Sequence, residues 1–208
     1  MIDEINTFKN YKYYEMKKID FDLTGPDVMK LSWLLSNGQV VMLTCCNSEK
    51  SINGIITACW VTPTSHEPFL ITASIGNGEK GEDSYRACHA LINETKEFGL
   101  NLPTPELTEA ILKVGTTHSN EVDKFADSGL TPMQSNKIKA PMIEECFMNL
   151  ECKVINQFIT GDHTVFVAKP VAAFMNDDVM TDGRFPEKYT NKNNQVQICE
   201  LITAWNMW

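Results

Sequence analysis

The segment from Met148 to Phe158 carries the clearest two-residue alternation in this chain of 208 residues. Most of its odd positions are polar, and apolar side chains occupy five even positions: Met148, Leu150, Cys152, Val154 and Phe158. Because successive side chains of a strand point to opposite faces, this pattern predicts a half-buried strand. The pair Gly161-Asp162 predicts a turn into a second strand, Thr164 to Ala168, which Val171 to Phe174 continue beyond Pro170 as a bent or edge strand.

A second β-rich segment runs from Asn53 to Gly76. Its two apolar runs, Ile55 to Val61 and Phe69 to Ile75, mix β-branched and aromatic residues with small and hydroxyl residues, and both predict strands. The prolines at 63 and 68 predict a loop between them, so we expect two adjacent strands. Small residues on a strand let a planar ligand lie against backbone N–H groups, but they also allow neighbouring elements to pack closely. The spacing of the residues alone favours the packing interpretation.

Helices are predicted in the middle of the chain. Capping residues and apolar periodicity indicate helices over Ser84 to Asn93, from Thr104-Pro105-Glu106 onward, and over Ser119 to Asp127. Two further strands are expected over Val40 to Cys45 and Phe98 to Leu102. The order of strands, then helices, then strands favours a mainly β, predominantly antiparallel barrel with inserted helices, because a parallel sheet needs regular alternation.

Composition excludes several function classes. The chain is 43% hydrophobic, which is enough for one core, and we expect one domain with terminal extensions. Its net charge of -9, with only 18 Lys plus Arg, argues against nucleic acid and anionic membrane as partners, since both bind clustered cations. No run approaches the ~18 apolar residues of a spanning helix. We therefore expect a cytoplasmic protein.

The seven cysteines form an odd set, which fits reduced thiols better than disulfides. They do not indicate a metal site. There is no CxxC, Cys146 and Cys152 have no histidine near them, and Cys88 and His89 are adjacent instead of one helical turn apart.

The stretch Gly76 to Gly81 matches the GxGxxG pattern of dinucleotide-binding proteins. We interpret it as a glycine turn, because Glu79 and the acids at 82 and 83 would oppose a phosphate, and no clear βαβ strand follows. Motifs for hydrolases, nucleotide triphosphatases and zinc proteases are missing from the sequence, so a bound cofactor is the better candidate for carrying chemistry.

Five separated pieces resemble, in order, the flavin reductase-like FMN-binding split-barrel family, closest to its flavoredoxin branch. They are NGIITACWVTPTSHEPFLITASIG, SYRACHALI, EFGLNLP, VGTTHSNEVDKF and GDHTVFVAKPV. The resemblance covers residues 36–177 and implies a Greek-key antiparallel split β-barrel with short inserted helices. It further implies FMN near the interface of a homodimer and electron transfer through the flavin. Residues 1–35 are then an N-terminal extension, and residues 178–208 are a tail expected to pack on the barrel or the partner subunit.

By position, the resemblance assigns these residues to the FMN site: Asn53, Gly54, Thr57, Ala58, Trp60, Ser65, Ser74, Arg86, His89, Asn101 and Leu102. Thr57 and Ala58 would lie beside the isoalloxazine ring, with Thr57 donating near N5. Ser65 and Ser74 would face the phosphate, with Arg86 as charge partner, whereas a hydrogen-bonded structural role competes for His89 and a solvated one for Arg86. The remaining assignments place Asn101 at polar flavin edges, His163 as the catalytic candidate beside flavin and electron donor, and Asp123 and Lys124 closing the pocket or touching the neighbouring subunit.

The resemblance leaves three functions open. The first is an NAD(P)H-dependent flavin reductase, and the second is an electron carrier that receives electrons from a protein donor. The third is a non-catalytic FMN-binding protein. One departure from the family concerns Ala168 to Val171, where the family commonly has Gly-Glu-Val, so we expect a different bend in the last strand.

Overall fold

The computed structural model describes residues 39–78, 86–119 and 121–176. Both predicted terminal segments, and the glycine turn after residue 78, lie outside this part of the chain. The strands are β1 (Val41–Cys46), β2 (Asn53–Ala58), β3 (Val61–His66), β4 (Phe69–Gly76), β5 (Glu97–Leu102), β6 (Pro132–Met133), β7 (Met142–Ile143), β8 (Met148–Thr160) and β9 (His163–Met175). The helices are α1 (Ala87–Thr95), α2 (Thr108–Thr116) and α3 (Lys124–Ser128), and a 3₁₀ turn, Pro105–Leu107, leads into α2.

Seven strands form one antiparallel sheet in the order β2-β1-β5-β8-β9-β4-β3. Its two edge strands, β2 and β3, are consecutive in the chain and only Cys59 and Trp60 separate them. Such a link spans about 10 Å at most, so the sheet must curl until its edges approach each other there. The predicted mainly β, antiparallel architecture with inserted short helices is confirmed.

The hairpin predicted between residues 55 and 75 is wrong in its connections. The predicted first strand runs across the break between β2 and β3, and most of the predicted loop is β3 itself, with Pro63 paired to Ile71. Proline is tolerated because β3 is an edge strand, where a missing N–H costs no ladder bond, and a register shift follows between Pro63 and Ser65. Strands β2 and β4 are therefore not adjacent in the sheet.

Three apolar clusters hold the described fold together, and the smallest contains Cys46, Ile138, Ala140 and Met142. The concave interior is lined by alternate residues of β4, by Phe98 and Phe166, and by Cys88 and Ile92 of α1. The second cluster lies on the other face of β1 and β2, where α2 and α3 cover it with Ile111, Val114 and Phe125. Strand β1 is consequently buried on both faces, which explains its unbroken apolar run.

The long hairpin of β8 and β9 confirms the alternation that predicted it. Strand β9 continues through Pro170, which pairs with Cys152, while Glu151 pairs with Ala172. Val171 is therefore an extra residue, so the predicted interruption is a bulge inside one continuous strand. Within the described ranges, the helices are too short or too polar to cross a membrane.

Helix boundaries follow local capping. The predicted helix from Ser119 begins later, at Lys124, because the Asp123 carboxylate accepts hydrogen bonds from the N–H groups of Phe125 and Ala126. Gly129 ends it in the left-handed conformation with φ of 73°, which glycine adopts without a Cβ penalty.

Candidate functional site

Three predicted site residues meet where β2 passes into β3. We call this group, Trp60, Ser74 and His163, the Trp60 corner. The Ser74 N–H donates to the Trp60 carbonyl at 2.9 Å, and the rings of Trp60 and His163 lie 4.8 Å apart at 38°. His163 begins β9 opposite Gly76. The indole is 40% exposed, so the corner presents an open aromatic surface.

Asp162 orients the imidazole of His163. Its Oδ1 lies 2.8 Å from His163 Nδ1, and because a carboxylate only accepts, Nδ1 carries the proton. The same contact lowers the pKa of Asp162, so this carboxylate stays ionised. Nε2 is then the ring nitrogen left for a ligand. Sequence reasoning missed Asp162, although the Gly-Asp-His order was its signal.

Hydroxyl and small apolar side chains continue the surface beyond the corner. Thr72 and Ser74 pair with Val167 and Val165 of β9, on the face opposite the interior residues of β4. Ser65 lies elsewhere, because its partner Leu70 is four residues before Ser74, or about 13 Å along the strand. One phosphate group therefore cannot contact both hydroxyls, and the contact of either serine with the ribityl phosphate region stays a prediction.

The Thr57 side chain points away from the corner, toward α2. Its hydroxyl donates to the Ile111 carbonyl at 3.0 Å, which corrects the expectation that it donates to a flavin. The backbone N–H of Thr57 does not point toward α2. In Ile55, two residues earlier, both the N–H and the carbonyl bind the Ser119 hydroxyl and so point away from β1. The backbone groups of residues two apart on a strand point to the same edge. The Thr57 N–H therefore points to the outer edge of β2, where the sheet ends.

Gly54 is small because of packing, not to admit a ligand. A Cβ built on it would stand 2.8 Å from Cys45 Sγ and 2.9 Å from Cys88 Sγ. A side chain at this position would thus face the interior beneath α1. This corrects the expectation that Gly54 borders the FMN site. Asn53, its neighbour, is exposed and pairs with Cys46 at the far end of β2.

Ala58 and Leu102 also belong to the interior. Both are partly buried and pack against the interior cluster. Each residue keeps a partly exposed surface. Contact between that surface and the cofactor stays a prediction.

Asn101 has no capacity left for a ligand. It is fully buried, and its amide donates to the Met42 carbonyl at 3.0 Å and the Thr44 hydroxyl at 3.2 Å. Its oxygen accepts from the Ile143 N–H at 3.0 Å and the Asn149 amide at 2.9 Å. The network joins β1, β5, β7 and β8. The predicted contact of Asn101 with polar flavin edges is therefore wrong.

His89 closes the interior on the opposite face of β9 from His163. Its Nε2 lies 3.0 Å from the Thr164 hydroxyl, and its ring is 5.5 Å from Phe166. Burial, aided by the nearby charge of Lys96, lowers the pKa of His89. These contacts favour the structural role that the sequence left open for this residue.

Arg86 immediately precedes α1, and its carbonyl accepts the His89 N–H at 2.9 Å. It lies one helical turn before His89, whose ring contacts Thr164 of β9. Lys124, by contrast, is buried and donates to the Val114 carbonyl at 2.6 Å, and burial lowers its pKa. With Asp123 capping α3, both residues of the Asp-Lys pair have structural partners here instead of the pocket-closing role expected of them.

Comparison with protein families decides the relationship. The family model described as flavin reductase like domain matches residues 35–193, which is most of the chain.

The chain belongs to the flavin reductase-like family.

The chain is also similar to individual proteins. An uncharacterised protein of Archaeoglobus fulgidus is 38% identical over 130 residues, which cover 62% of this chain and 69% of the relative. Among solved structures, flavoredoxin from Methanosarcina acetivorans is similar with a TM-score of 0.66 and 22% identity, over 83% of both chains.

Two further members of this structural group differ in their described roles. An FMN-binding protein from Thermus thermophilus has a TM-score of 0.65 and 19% identity, covering 82% of this chain and 85% of its own. The NADH:FAD oxidoreductase of Streptomyces globisporus has a TM-score of 0.65 and 20% identity, covering 82% and 98%. At such identities the likeness shows the fold, and it confirms the predicted split barrel.

Proposed function

We propose that this protein binds FMN non-covalently at the Trp60 corner and passes electrons from a reduced donor to an acceptor, as an NAD(P)H-dependent flavin reductase-like oxidoreductase. The observation that carries the proposal is the exposed Trp60 indole beside the Asp162-oriented imidazole of His163, in a chain of the flavin reductase-like family. FMN, when bound, supplies the redox chemistry, and the protein supplies position and electrostatics.

The residues at the corner fit a flavin. The indole offers a flat apolar surface for a fused ring system. The N–H of Thr57 points to the open edge of β2 and is a donor for a ring carbonyl or nitrogen. The Ser74 hydroxyl and the Arg86 guanidinium are the groups that we assign to the ribityl phosphate.

His163 is the residue that we assign to the reacting edge. With Nδ1–H fixed on Asp162, its Nε2 accepts a hydrogen bond, or donates one when the ring is protonated. It would hold a proton at Nε2 or orient an incoming nicotinamide. His163→Gln should therefore slow flavin reduction more than it weakens FMN binding.

An electron carrier of the flavoredoxin type is the second candidate. The THSNEVDKF piece and the likeness to the Methanosarcina flavoredoxin favour it. Such a carrier keeps its FMN and receives electrons from a protein without nicotinamide turnover. A non-catalytic FMN-binding protein is the third, since the described corner shows no second acid or base beside His163 and Asp162.

Anaerobic mixing separates these functions. The FMN-loaded protein is mixed with NADH or NADPH while flavin absorbance is followed. Bleaching at catalytic rates supports the reductase. An unchanged oxidised spectrum with nicotinamides, together with reduction by a reduced ferredoxin, overturns the reductase in favour of the carrier. Failure of both donors leaves only the non-catalytic function.

We also propose a homodimer in the cytoplasm. Phe158 of β8 lies opposite Val165 beside the corner, and both Phe158 and Ile155 are half exposed, which gives β8 an apolar surface that a second subunit would cover. The six described cysteines are free thiols, which fits a reducing compartment. Light scattering coupled to gel filtration tests the dimer, and a monomer mass with FMN bound contradicts it.

A further inference from the structure

Two buried thiols, Cys45 of β1 and Cys88 of α1, meet behind Gly54 of β2. Their sulfur atoms lie 2.8 Å and 2.9 Å from the single point that a Cβ on Gly54 would occupy. The sulfurs are therefore neighbours, and glycine at position 54 is what leaves them room. Rotation of a cysteine side chain between staggered rotamers moves its sulfur by about 3 Å, enough to approach the bonded S–S distance of about 2 Å.

The surroundings give the two thiols different characters. Cys88 is the second residue of α1, where backbone N–H groups lack helical acceptors and stabilise a thiolate. The hydrogen bond with Cys45 lowers the pKa of Cys88, burial opposes this, and the charge of Lys124 lowers the pKa further. Burial raises the pKa of Cys45, which stays protonated. We assign the attack to Cys88 because it lies in the first turn of α1, and Cys45 is then the resolving cysteine.

We propose that Cys45 and Cys88 form an oxidisable dithiol that hydrogen peroxide converts to a disulfide. The Cys88 sulfur forms a bond to one peroxide oxygen as the O–O bond breaks, and the departing hydroxide takes the proton lost from the thiol to become water. The Cys45 sulfur then bonds to the Cys88 sulfur, the S–O bond breaks, and a second water leaves. The sulfurs lose two electrons, which reduce one peroxide to two waters.

Hydrogen peroxide is the oxidant that we assign, because both sulfurs are buried from solvent and a molecule this small needs the least opening of the fold to reach them. The other described cysteines do not offer an equivalent pair. Cys46 follows Cys45 and points to the opposite face of β1. Burial raises the pKa of both Cys146 and Cys152.

The test uses the full chain, exposed to hydrogen peroxide and then alkylated in denaturant. Mass spectrometry of tryptic peptides should show the Cys45 peptide linked to the Cys88 peptide, with the link lost on treatment with dithiothreitol. Because Cys46 shares the first peptide, Cys46→Ser is the matched control and should keep the cross-link at wild-type yield. Cys45→Ser should abolish it and leave Cys88 open to a sulfenic-acid probe.

Circular dichroism establishes that each variant is folded, and Cys45→Ala replaces Cys45→Ser if the serine is not tolerated. Two outcomes would overturn the dithiol. One is a wild-type protein in which Cys88 stays alkylatable after the partly exposed Cys59 is oxidised, and the other is a cross-link that survives in Cys45→Ser. Neither outcome depends on FMN binding, so the proposed function is tested separately.

Discussion

At the scale of single residues, Gly54 and Gly115 differ in whether the surrounding structure has room for a side chain. A methyl group on Gly54 would overlap two cysteine sulfurs, whereas one on Gly115, inside α2, meets Thr57 at an ordinary 3.7 Å. Gly54→Ala should therefore lower the free energy of unfolding by about 1–3 kcal/mol through overpacking. Gly115→Ala should raise it by about 0.5–1 kcal/mol, because alanine is the better helix former.

Urea denaturation of both variants checks this pair. Equal stability of Gly54→Ala and the wild type would mean that the interior beneath α1 is looser than described, and would reopen Gly54 as a ligand position.

The buried amide of Asn101 gives a second prediction at this scale. Asn101→Ala removes two donated and two accepted hydrogen bonds and leaves the Ile143 N–H without its acceptor in the core. We expect a loss of about 2–4 kcal/mol in the free energy of unfolding, measured in urea. FMN affinity of the fraction that remains folded should be unchanged. A stable variant that has lost FMN would restore Asn101 to the cofactor site.

At the scale of elements, Glu151 fixes the connection between β6 and β7. Its buried carboxylate accepts the N–H groups of Asn136 at 2.8 Å, Lys137 at 2.5 Å and Ile138 at 3.0 Å. Glu151→Gln turns an amide group toward at least one of these donors and should cost about 2–4 kcal/mol of stability. Hydrogen exchange should be faster at residues 136–138 than in the wild type.

The matched control is Glu145→Gln. Glu145 is exposed and, among the described residues, accepts a hydrogen bond from the Thr131 N–H alone, at 3.0 Å, so its replacement should cost less than about 1 kcal/mol. Unchanged exchange at 136–138 in Glu151→Gln would show that the backbone holds this connection without the carboxylate.

Elements differed in how well the sequence predicted them, for physical reasons. Strand β8 was predictable because a half-buried strand imposes alternation. Strand β3 was not, because Pro63 reads as a strand breaker and only the sheet order reveals that β3 is an edge. At the site, the family resemblance indicated which positions lie near the cofactor but not where their side chains point. The Thr57 hydroxyl points toward α2, and the Asn101 amide makes all its hydrogen bonds within the core. The contact of Trp60 with His163 depends on the curl of the whole sheet, which no local pattern encodes.

At the scale of the whole molecule, His89 makes stability depend on pH. Burial lowers its pKa, so below the ordinary value of ~6.5 the unfolded chain binds a proton that the folded chain resists. Its contribution is therefore present above that value and is lost as pH falls toward the folded-state pKa. His89→Gln should show a smaller fall in unfolding free energy between about pH 7 and pH 5 than the wild type. Identical slopes in urea titrations at these pH values would contradict the assignment.

The proposed function requires a flavin at the Trp60 corner, and the affinity for FMN tests this most directly. Titration of FMN into the protein, followed by flavin fluorescence, should show quenching that saturates. Trp60→Ala should weaken binding by about tenfold or more, since stacking on an aromatic contributes ~1–3 kcal/mol. Phe69→Ala is the matched control, because Phe69 is similarly exposed, at 43%, but lies at the far end of β4. Absence of quenching in the wild type, or equal affinities for FMN in both variants, would contradict the account.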